Sequence, residues 1–507
     1  MRGGPQLRRP PGPGRRPGGV RGPLLPRRLA PGARGRVVSS PPDMRVFLET
    51  YGCQMNVADS ETMAGVLERA GMSLVDRAED ADAVILNTCA IREHAEQRVL
   101  GRLGEFARLK TQRPGLVVGV AGCMAQHLRA RLLDKARVLD LVVGPDGYRR
   151  LPELLARAAS RPVADVRLDR DETYGDLEPK RGTGVRAWIT VQRGCDKFCT
   201  YCVVPYTRGR ERSLPLEELI TQVRTAVARG YREVVFLGQT VNSYHDGTHD
   251  FADLLRATDQ VEGLLRIRYT SPHPSDMSER VIEALAGCPR VCPQVHLPLQ
   301  SASDPILEAM GRTYTLDQYR SVVARLREAI PGVALSTDII VGFPGESDQD
   351  FERTAAYMRE VRYDSAFLFK YSARPDTKAW RCEETVSEEE KGRRLEHLIA
   401  QQQAISGAIH DRMIGREVEV LVEGPARRPA KPGAPARSGG RGDGQLFGKS
   451  AHFKTVVFDD DGTSAGTLRQ VRVVGATPVT LIGEAVRDAD PAAPAPALVR
   501  IGSAARA

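Results

Sequence analysis

The sequence predicts an α/β protein with a doubly wound N-terminal domain, a second domain of six βα units and a small C-terminal antiparallel β-barrel. Three observations lead to this prediction. Short apolar runs alternate with helical stretches over residues 44–160, as in a parallel sheet covered by helices. The alternation resumes over residues 183–413. Over residues 414–484, apolar and polar residues alternate with the period of two that is typical of half-buried strands.

The N-terminal domain contains four strand-like runs separated by helical stretches. The runs are Arg45–Leu48, Ala83–Leu86, Leu116–Val120 and Leu139–Val143, and the helical stretches include Ser60–Arg69, Ala95–Lys110 and Leu151–Ala159. Residues 161–182 are polar and irregular, and we expect them to form a linker to the next domain.

A cysteine follows each of the first three runs: Cys53, Cys89 and Cys123. Right-handed crossovers bring the carboxyl ends of parallel strands to one edge of a sheet, where α/β proteins place their ligands. The three thiols are therefore predicted to converge as a three-thiolate site with an open position. The alternative is that they are three small core residues, since free cysteine is often buried.

The second domain is predicted to contain six strands, each followed by a loop rich in polar residues. The strands are Trp188–Gln192, Glu233–Leu237, Leu265–Tyr269, Gln294–Leu297, Leu335–Val341 and Ser365–Lys370. A long polar helix, Glu388 to about Met413, follows them. Because active residues of βα barrels lie at the carboxyl ends of the strands, these loops should form a polar mouth.

The loop after the first of these strands carries three cysteines in eight residues, Cys195, Cys199 and Cys202. A cubane cluster of four irons has four corners, so three thiolates leave one iron open to a substrate or cofactor. The alternative is a zinc knuckle with a distant fourth ligand. The remaining cysteines, Cys288, Cys292 and Cys382, form no comparable set, and we expect them not to be ligands.

The Cys-xxx-Cys-xx-Cys run, with Tyr201 before its third cysteine, resembles the signature of radical S-adenosylmethionine enzymes. Two three-cysteine sets in this order resemble the methylthiotransferase family, and the resemblance covers about residues 44–484. The local sequences around the first set agree: Glu49–Asn56, Asn87–Arg92 and Gly122–Gln126. The tract Cys89–Glu96 is most similar to the branch that modifies isopentenyl-adenosine in tRNA.

This resemblance implies a partial (β/α)6 radical-SAM barrel and two 4Fe-4S clusters. Cys195, Cys199 and Cys202 would hold the cluster that binds S-adenosylmethionine, and Cys53, Cys89 and Cys123 an auxiliary cluster that holds the sulfur. The reaction would be methylthiolation at C2 of the adenine, with sulfur insertion and methyl transfer. Because the clusters and S-adenosylmethionine carry this chemistry, no side chain is assigned as catalytic.

Six residues of the polar mouth are expected to bind the cofactor. By the resemblance, Gly238 and Gln239 contact the methionine part of S-adenosylmethionine, and Phe343 and Pro344 lie along the adenine. Two further polar residues, His296 and Asp338, belong to the fourth and fifth strands of the barrel and complete the set.

The resemblance also implies the partners. The C-terminal barrel, residues 414–484, resembles the TRAM RNA-binding domain, and the substrate would be the anticodon loop of tRNA. We expect Lys449, Lys454 and the arginines of a basic insertion, 425–444, to contact phosphates, although the insertion could equally be solvated filler. The reaction needs a low-potential electron donor such as ferredoxin or flavodoxin, and a sulfur donor.

The net charge of +9 comes entirely from the first 43 residues, which contain ten arginines and one aspartate. This Arg/Pro/Gly-rich tail and residues 485–507 are predicted to be disordered, and Met44 is favoured as the true initiator because the first strand begins there. No run of 18 apolar residues exists, so no membrane span is expected. The cysteine spacing favours a reducing cytoplasm.

Three other functions remain open. A sister branch modifies threonylcarbamoyl-adenosine in tRNA, and another modifies an aspartate of a ribosomal protein. From a different class, the chain could be a non-enzymatic iron–sulfur electron carrier that binds RNA. The six-unit barrel with its polar mouth disfavours this last alternative.

Overall fold

A computed structural model describes residues 44–90, 93–129, 131–426 and 444–486. The described residues all belong to one compact unit. The predictions for the tail 1–43, for nearly all of the insertion 425–444 and for the C-terminal tail beyond residue 486 lie outside the described residues.

The N-terminal part is a parallel sheet of six strands in the order β2-β1-β3-β4-β5-β6. The strands are β1 Arg45–Tyr51, β2 Ser73–Leu74, β3 Ala83–Thr88, β4 Val117–Gly122, β5 Leu141–Val143 and β6 Val163–Asp165. The helices are α1 Gln54–Arg69, α2 Glu93–Gln112, α3 Cys123–Leu128, α4 Arg131–Lys135 and α5 Leu151–Ala158.

Helices cover both faces of this sheet, as expected for a doubly wound domain. Alternate residues of β3 enter different apolar cores: Ile85 packs in one, while Val84 and Leu86 pack in the other. The strand order reverses between β1 and β3, which is the switch point where open α/β sheets bind ligands.

Strand β6 corrects the expectation that residues 161–182 form an irregular linker. Val163 pairs with Leu141 at the edge of the sheet, and the side chains of Tyr174 and Leu177 pack in one of its cores. The strand was missed because it has only three residues, of which the last, Asp165, is charged.

The second part is the six-stranded parallel barrel, built from two three-stranded sheets in the orders β11-β10-β7 and β12-β13-β14. Its strands are β7 Arg186–Thr190, β10 Glu233–Leu237, β11 Arg266–Tyr269, β12 Gln294–His296, β13 Ala334–Val341 and β14 Ser365–Lys370, and a short antiparallel ribbon joins β8 Gln192–Arg193 to β9 Arg212–Ser213. The helices are α6 Val204–Thr207, α7 Leu216–Ala228, α8 Phe251–Asp259, α9 Glu279–Gly287, α10 Asp304–Ala309, α11 Leu316–Ala329, α12 Asp348–Val361 and α13 Glu388–Asp411.

The two faces of the sheet β12-β13-β14 differ in chemistry. Leu335, Ile339 and Val341 of β13 pack in the large apolar core together with residues of the surrounding helices. Asp338 lies on the opposite face and pairs in register with Phe367 of β14. Because successive side chains of a strand point to opposite faces, this second face is the barrel interior.

The third part is a closed five-stranded barrel in the order β15-β16-β17-β19-β18. Its strands are β15 Glu417–Pro425, β16 Gln445–Ser450, β17 Thr455–Asp459, β18 Leu468–Ala476 and β19 Thr480–Ala485. Eight buried apolar side chains fill its centre: Val420, Val422, Leu446, Val456, Phe458, Val471, Val473 and Leu481. The predicted small antiparallel barrel is therefore confirmed, apart from the single parallel pair β17–β19.

The turn between β16 and β17 contacts the amino ends of the large barrel's strands. Arg266 donates to the carbonyl of Lys449 at 2.6 Å, and Arg268 donates to the carbonyl of Ser450 at 2.8 Å. Lys454 is 7% exposed and pairs with Asp364, which precedes β14. The expectation that Lys454 contacts RNA phosphates is corrected, because its side chain instead joins the two barrels. Lys449 lies over the ring of Phe453, and its contact with a phosphate stays a prediction.

A buried carboxylate, Glu233 at the start of β10, anchors this contact. It accepts from Arg268 at 2.8 Å and pairs with Arg186, and its side chain is fully buried. Burial alone would raise the pKa of Glu233, but the charges of Arg268 and Arg186 overcome it and hold the pKa below its usual value. None of the described helices is long and apolar enough to cross a membrane.

Replacing Glu233 by Gln should destabilise the large barrel, because two buried guanidinium groups lose their counter-charge. We expect the free energy of unfolding in urea at pH 7 to fall by about 3–5 kcal/mol. Glu328→Gln, at an exposed position of α11, should change it by less than about 0.5 kcal/mol.

The stability difference between wild type and Glu233→Gln should also depend on pH, in a direction set by the lowered pKa of Glu233. A depressed folded pKa stabilises the protein above the unfolded pKa of about 4.3 and loses this contribution as the pH falls through the folded value. The difference between wild type and Glu233→Gln should therefore shrink in acid. Equal stability of the two proteins at pH 7 would contradict the assignment.

Candidate functional site

The N-terminal cysteines lie at the carboxyl ends of three adjacent strands. Cys53 caps α1 directly after β1, Cys89 follows β3, and Cys123 opens α3 directly after β4. A hydrogen bond from Cys89 lowers the pKa of Cys53 to about 6 despite its burial. Cys123 interacts electrostatically with Cys53. The structure therefore brings the three thiols together, as the strand order predicted.

Two glycines with positive φ let these loops approach one another. Gly52 has φ +145°, and a Cβ there would lie 2.7 Å from the Cβ of Cys89. Gly122 has φ +92°, and a Cβ there would lie 2.6 Å from the carbonyl oxygen of Thr88. A side chain at either position would push the cysteine loops apart.

Buried amides hold the first two loops in place. Asn56 accepts from the backbone N–H of Cys53 at 3.3 Å and donates to the carbonyl of Thr88 at 3.2 Å. Asn87 donates to the carbonyl of Asn56 at 2.7 Å. Both amide side chains are fully buried, so each loop's position depends on the other.

The barrel cysteines form the second set, between the ribbon strand β8 and helix α6. The backbone N–H of Cys202 donates to the carbonyl of Cys199 at 3.0 Å, and Thr200 is tied to Met310 by a bond of 2.9 Å. Burial, together with the negative charges of Cys199 and Cys195, raises the pKa of Cys202 to about 12. Three thiolates here repel one another and need a bound cation to coexist.

A zinc site and an iron–sulfur cluster make different demands on these thiols. Zinc needs four ligands converging at about 2.0–2.3 Å on one ion. In a cubane each thiolate binds a different iron, so the thiols lie farther apart. Within the described ranges, no group of three or more His, Cys, Asp or Glu side chains is arranged to hold a metal ion. None of the six cysteines forms a disulfide.

A buried ion network connects the two cysteine sets. Asp59 of α1 accepts from Arg193 at 3.0 Å and from Arg208 at 2.6 Å, and Tyr148 donates to it at 3.3 Å. The side chains of Asp59, Arg193 and Arg208 are 0%, 2% and 4% exposed. Burial would raise the pKa of Asp59, but the charges of Arg208 and Arg193 hold it below its usual value.

This network joins two domains and both cysteine loops. Asp59 belongs to the same helix that Cys53 caps, while Arg193 lies two residues before Cys195 and Arg208 follows α6. Sequence reasoning missed these three residues. A signal was present, because Asn56, Asp59 and Ser60 place polar side chains at helical spacing on the buried side of α1.

The barrel mouth contains the other predicted residues. Gly238 approaches Gln192 closely, since a Cβ there would lie 2.9 Å from the Gln192 side-chain oxygen. The side-chain oxygen of Gln239 is buried and has no hydrogen-bond partner within the described part of the chain. An unsatisfied buried acceptor at this position is suited to a ligand that donates hydrogen bonds.

His296 and Asp338 are brought together on the interior face of the barrel. The Nε2 atom of His296 lies 3.4 Å from Asp338, and its Nδ1 atom lies 3.1 Å from the hydroxyl of Ser336. The ring of Phe367 meets the His296 ring edge-on at 5.7 Å. Phe367 and Phe369 are 53% and 40% exposed, which is unusual for aromatic side chains of a barrel strand.

The expected adenine segment divides into a buried and an accessible residue. Phe343 is 1% exposed and meets the rings of Tyr371 at 5.1 Å and Tyr201 at 6.4 Å. Its side chain therefore fixes the loop and does not face the mouth. Pro344 is half-buried and accessible.

Two further polar side chains of the mouth were not assigned from the sequence. Arg312 donates to the sulfur of Cys199 at 3.4 Å. His273 accepts at Nδ1 from the backbone N–H of Ser275, so its unpartnered Nε2 carries the proton. Burial and the charges of Arg312 and Lys197 lower the pKa of His273 to about 2, which keeps the ring neutral.

Comparison with known proteins agrees with this geometry. Residues 189–358 match the radical SAM superfamily, and residues 45–144 match the uncharacterized protein family UPF0004. A radical S-adenosylmethionine methyltransferase from Kitasatospora setae has a similar fold, with a TM-score of 0.51 and 16% identity over 66% of this chain and 77% of that one.

Relatives of higher identity cover almost the whole described chain. A tRNA-2-methylthio-N(6)-dimethylallyladenosine synthase of Bacteroides thetaiotaomicron is 44% identical over 464 residues, which are 90% of this chain and 99% of the relative. The Porphyromonas gingivalis protein of the same name is 42% identical over 466 residues, 90% of this chain and 98% of the relative. The chain therefore belongs to the tRNA-2-methylthio-N(6)-dimethylallyladenosine synthase family of radical SAM enzymes.

Proposed function

We propose that the protein methylthiolates C2 of dimethylallyl-adenosine, also called isopentenyl-adenosine, beside the anticodon of tRNA. The observation that carries this proposal is the pair of three-thiol sets, held together by the Asp59 network in a chain of this family. Radical chemistry at an aromatic carbon needs a cofactor, and sulfur insertion needs a second site that supplies sulfur.

Each thiol set fits a 4Fe-4S cluster by its donor chemistry. Cys195, Cys199 and Cys202 would hold one cluster and leave one iron for S-adenosylmethionine, and Cys53, Cys89 and Cys123 would hold the auxiliary cluster. When bound, these groups supply the electron, the radical that takes hydrogen from the adenine, and the sulfur. The protein's own residues bind, orient and exclude water.

Polar groups of the barrel mouth are suited to hold S-adenosylmethionine. The Gln239 oxygen would accept from its amino group, and the lack of a side chain at Gly238 would let the backbone approach the methionine part. His296 and Asp338 present polar atoms from the barrel wall. Pro344 would lie along the adenine, with the buried ring of Phe343 supporting its loop.

The aromatic surface of β14 is suited to receive the flipped-out base. Phe367 and Phe369 stand two residues apart on one face of the strand, so their rings are neighbours. A modified base in an RNA loop can stack on such rings. Its dimethylallyl group would add apolar contact area.

The small C-terminal barrel supports tRNA binding in this proposal, but through a different surface from the one that contacts the large barrel. In that contact, Lys454 pairs with Asp364 through its side chain, while Lys449 accepts from Arg266 through its backbone carbonyl. The TRAM role, the anticodon loop as its ligand and the cytoplasm as the location remain parts of the proposal. So do a sulfur donor and a low-potential electron donor such as ferredoxin or flavodoxin.

The modification itself is tested by mass spectrometry of tRNA nucleosides from a strain that lacks this gene. We expect 2-methylthio-dimethylallyl-adenosine to disappear and dimethylallyl-adenosine to accumulate. Complementation with the wild-type gene should reverse both changes. Loss of a methylthiolated threonylcarbamoyl-adenosine, or of a modified ribosomal aspartate, would instead assign the protein to a sister branch.

The division of labour between the cysteine sets is tested by replacing each set with alanine. Replacing Cys195, Cys199 and Cys202 should remove about half of the iron, four atoms of about eight, and abolish cleavage of S-adenosylmethionine. Replacing Cys53, Cys89 and Cys123 should remove the other half, retain cleavage and block sulfur insertion. If either replacement removes all iron from a folded protein, or none, the sites are not independent.

Removing the aromatic ring of Phe367 should weaken use of the tRNA substrate. Base–aromatic stacking contributes about 1–3 kcal/mol per base, so kcat/KM of Phe367→Ala for tRNA should fall about 5- to 150-fold. Phe367→Tyr keeps the ring and should stay close to wild type. Cleavage of S-adenosylmethionine without tRNA is measured for each variant as a control that the barrel is intact. An unchanged kcat/KM in Phe367→Ala would exclude the ring from the substrate site.

A further inference from the structure

The buried ion network next to the N-terminal thiols carries an excess of positive charge. Two guanidinium groups, Arg193 and Arg208, face the single carboxylate of Asp59. Tyr148, the other titratable group bonded to Asp59, is kept neutral because burial raises its pKa. Val203, which caps the helix α6 that Arg208 follows, packs with Cys123, so Arg208 lies beside the thiol site. Glu172 pairs with Arg149 and also interacts with Arg193, so the buried positive charge left for the thiol site is that of Arg208.

The same network holds hydrogen-bond donors that the described protein does not use. The Nη1 atom of Arg208 is buried without a partner among the described residues, and so are Nε and Nη1 of Arg193. Leaving charged donors buried and unpaired is costly, so these groups are suited to a further acceptor at the thiol site.

The guanidinium group beside the N-terminal thiols belongs to Arg208, which is a residue of the barrel domain. Its Nη2 atom is fixed by Asp59 at 2.6 Å, which leaves the other edge of the guanidinium group for the thiol site. Arg193 is held over the ring of Tyr174 at 4.6 Å and lies beside the barrel cysteines. Of the two, Arg208 is the one that interacts with both Cys53 and Cys123.

We propose that Arg208 binds the sulfur anion that occupies the open position of the N-terminal thiol site, and that Asp59 holds the guanidinium group in place for this purpose. The inference rests on the proposed function. The ligand is a hydrosulfide or a methanethiolate, which share a compact, negatively charged sulfur. A cluster with three thiolates is already anionic, so a further anion needs a local cation. Arg208 is a positioning residue and forms no covalent bond.

The test uses the full-length chain with Cys195, Cys199 and Cys202 replaced by alanine, so that only the N-terminal cluster is reconstituted. Sodium sulfide and sodium methanethiolate are titrated in separate arms, and binding is followed by electron paramagnetic resonance of the reduced cluster. Arg208→Met should weaken binding of both anions about tenfold or more, as expected for the loss of a charge-assisted donor. Weakening of only one anion identifies that anion as the ligand.

Two variants serve as controls. Arg212→Met removes a second buried arginine–aspartate bridge between the same domains, with Asp146 at 3.1 Å, and also a bond of 3.1 Å to the backbone carbonyl of Arg208. It controls for domain contact and for the placement of the Arg208 backbone, and should weaken binding much less than Arg208→Met. Arg208→Lys keeps the charge but not the two-edged donor, and should show an intermediate loss. If Arg208→Met fails to retain iron, the affinities of Arg208→Lys test the role of Arg208 instead. Thermal unfolding and iron content are measured for every variant.

Three outcomes would overturn the inference. Equal affinity in wild type, Arg208→Met and Arg208→Lys would show that the arginine does not reach the ligand. An equal loss in Arg212→Met would show a general effect of domain contact. Failure of the unsubstituted Arg208 protein to bind either anion, with its cluster intact, would overturn the proposed function of the N-terminal site itself.

Discussion

A single carboxylate, Asp59, holds together the parts of the molecule on which its chemistry depends. It has no exposure to solvent, and it accepts hydrogen bonds from two arginines of the neighbouring domain. Removing one partner of a buried charge pair costs about 3–5 kcal/mol, so neither domain can move away without leaving a buried charge unpaired. Because Cys53 caps the same helix and Arg193 lies two residues before Cys195, this constraint fixes one cysteine set relative to the other. Reactive atoms bound at two sites must be held in a defined geometry for a transfer between them to occur.

A second buried carboxylate holds parts of the molecule together at the opposite ends of the barrel strands. At the amino ends, Glu233 pairs with Arg186 and Arg268, and Arg268 continues to the backbone of the small C-terminal barrel. The C-terminal barrel therefore packs against the amino ends of the large barrel's strands. At the carboxyl ends, the interior face keeps polar atoms and two exposed aromatic rings, where ligands of different chemistry can meet. The buried charges at the amino ends of the strands stabilise the fold, whereas the exposed aromatic rings at the carboxyl ends are available for binding.

The fold and the six cysteines were predictable because their signals are local. Apolar runs at strand length marked the six barrel strands to within two residues, and cysteine spacing marked both thiol sets.

Three features were not predictable for physical reasons. Strand β6 has only three residues and depends on its neighbour β5. Lys454 looks solvent-exposed in sequence, and only the contact between the barrels shows that its charge pairs with Asp364. Arg208 and Asp59 lie 149 residues apart, and no periodicity connects them. The motif placed Phe343 along the adenine, but it could not show that the Phe343 ring is buried against Tyr371 inside the protein.

If the Asp59 network fixes the separation of the two thiol sets, that separation should be uniform in the wild-type protein. Pulsed electron paramagnetic resonance of the fully reconstituted, reduced protein measures it through the dipolar coupling between the two clusters. We expect one narrow distance distribution in the wild-type protein and a broadened distribution in Asp59→Asn, whose neutral amide cannot pair with both arginines. A broad distribution in the wild type, or an equally narrow one in Asp59→Asn with both clusters retained, would contradict this role of Asp59.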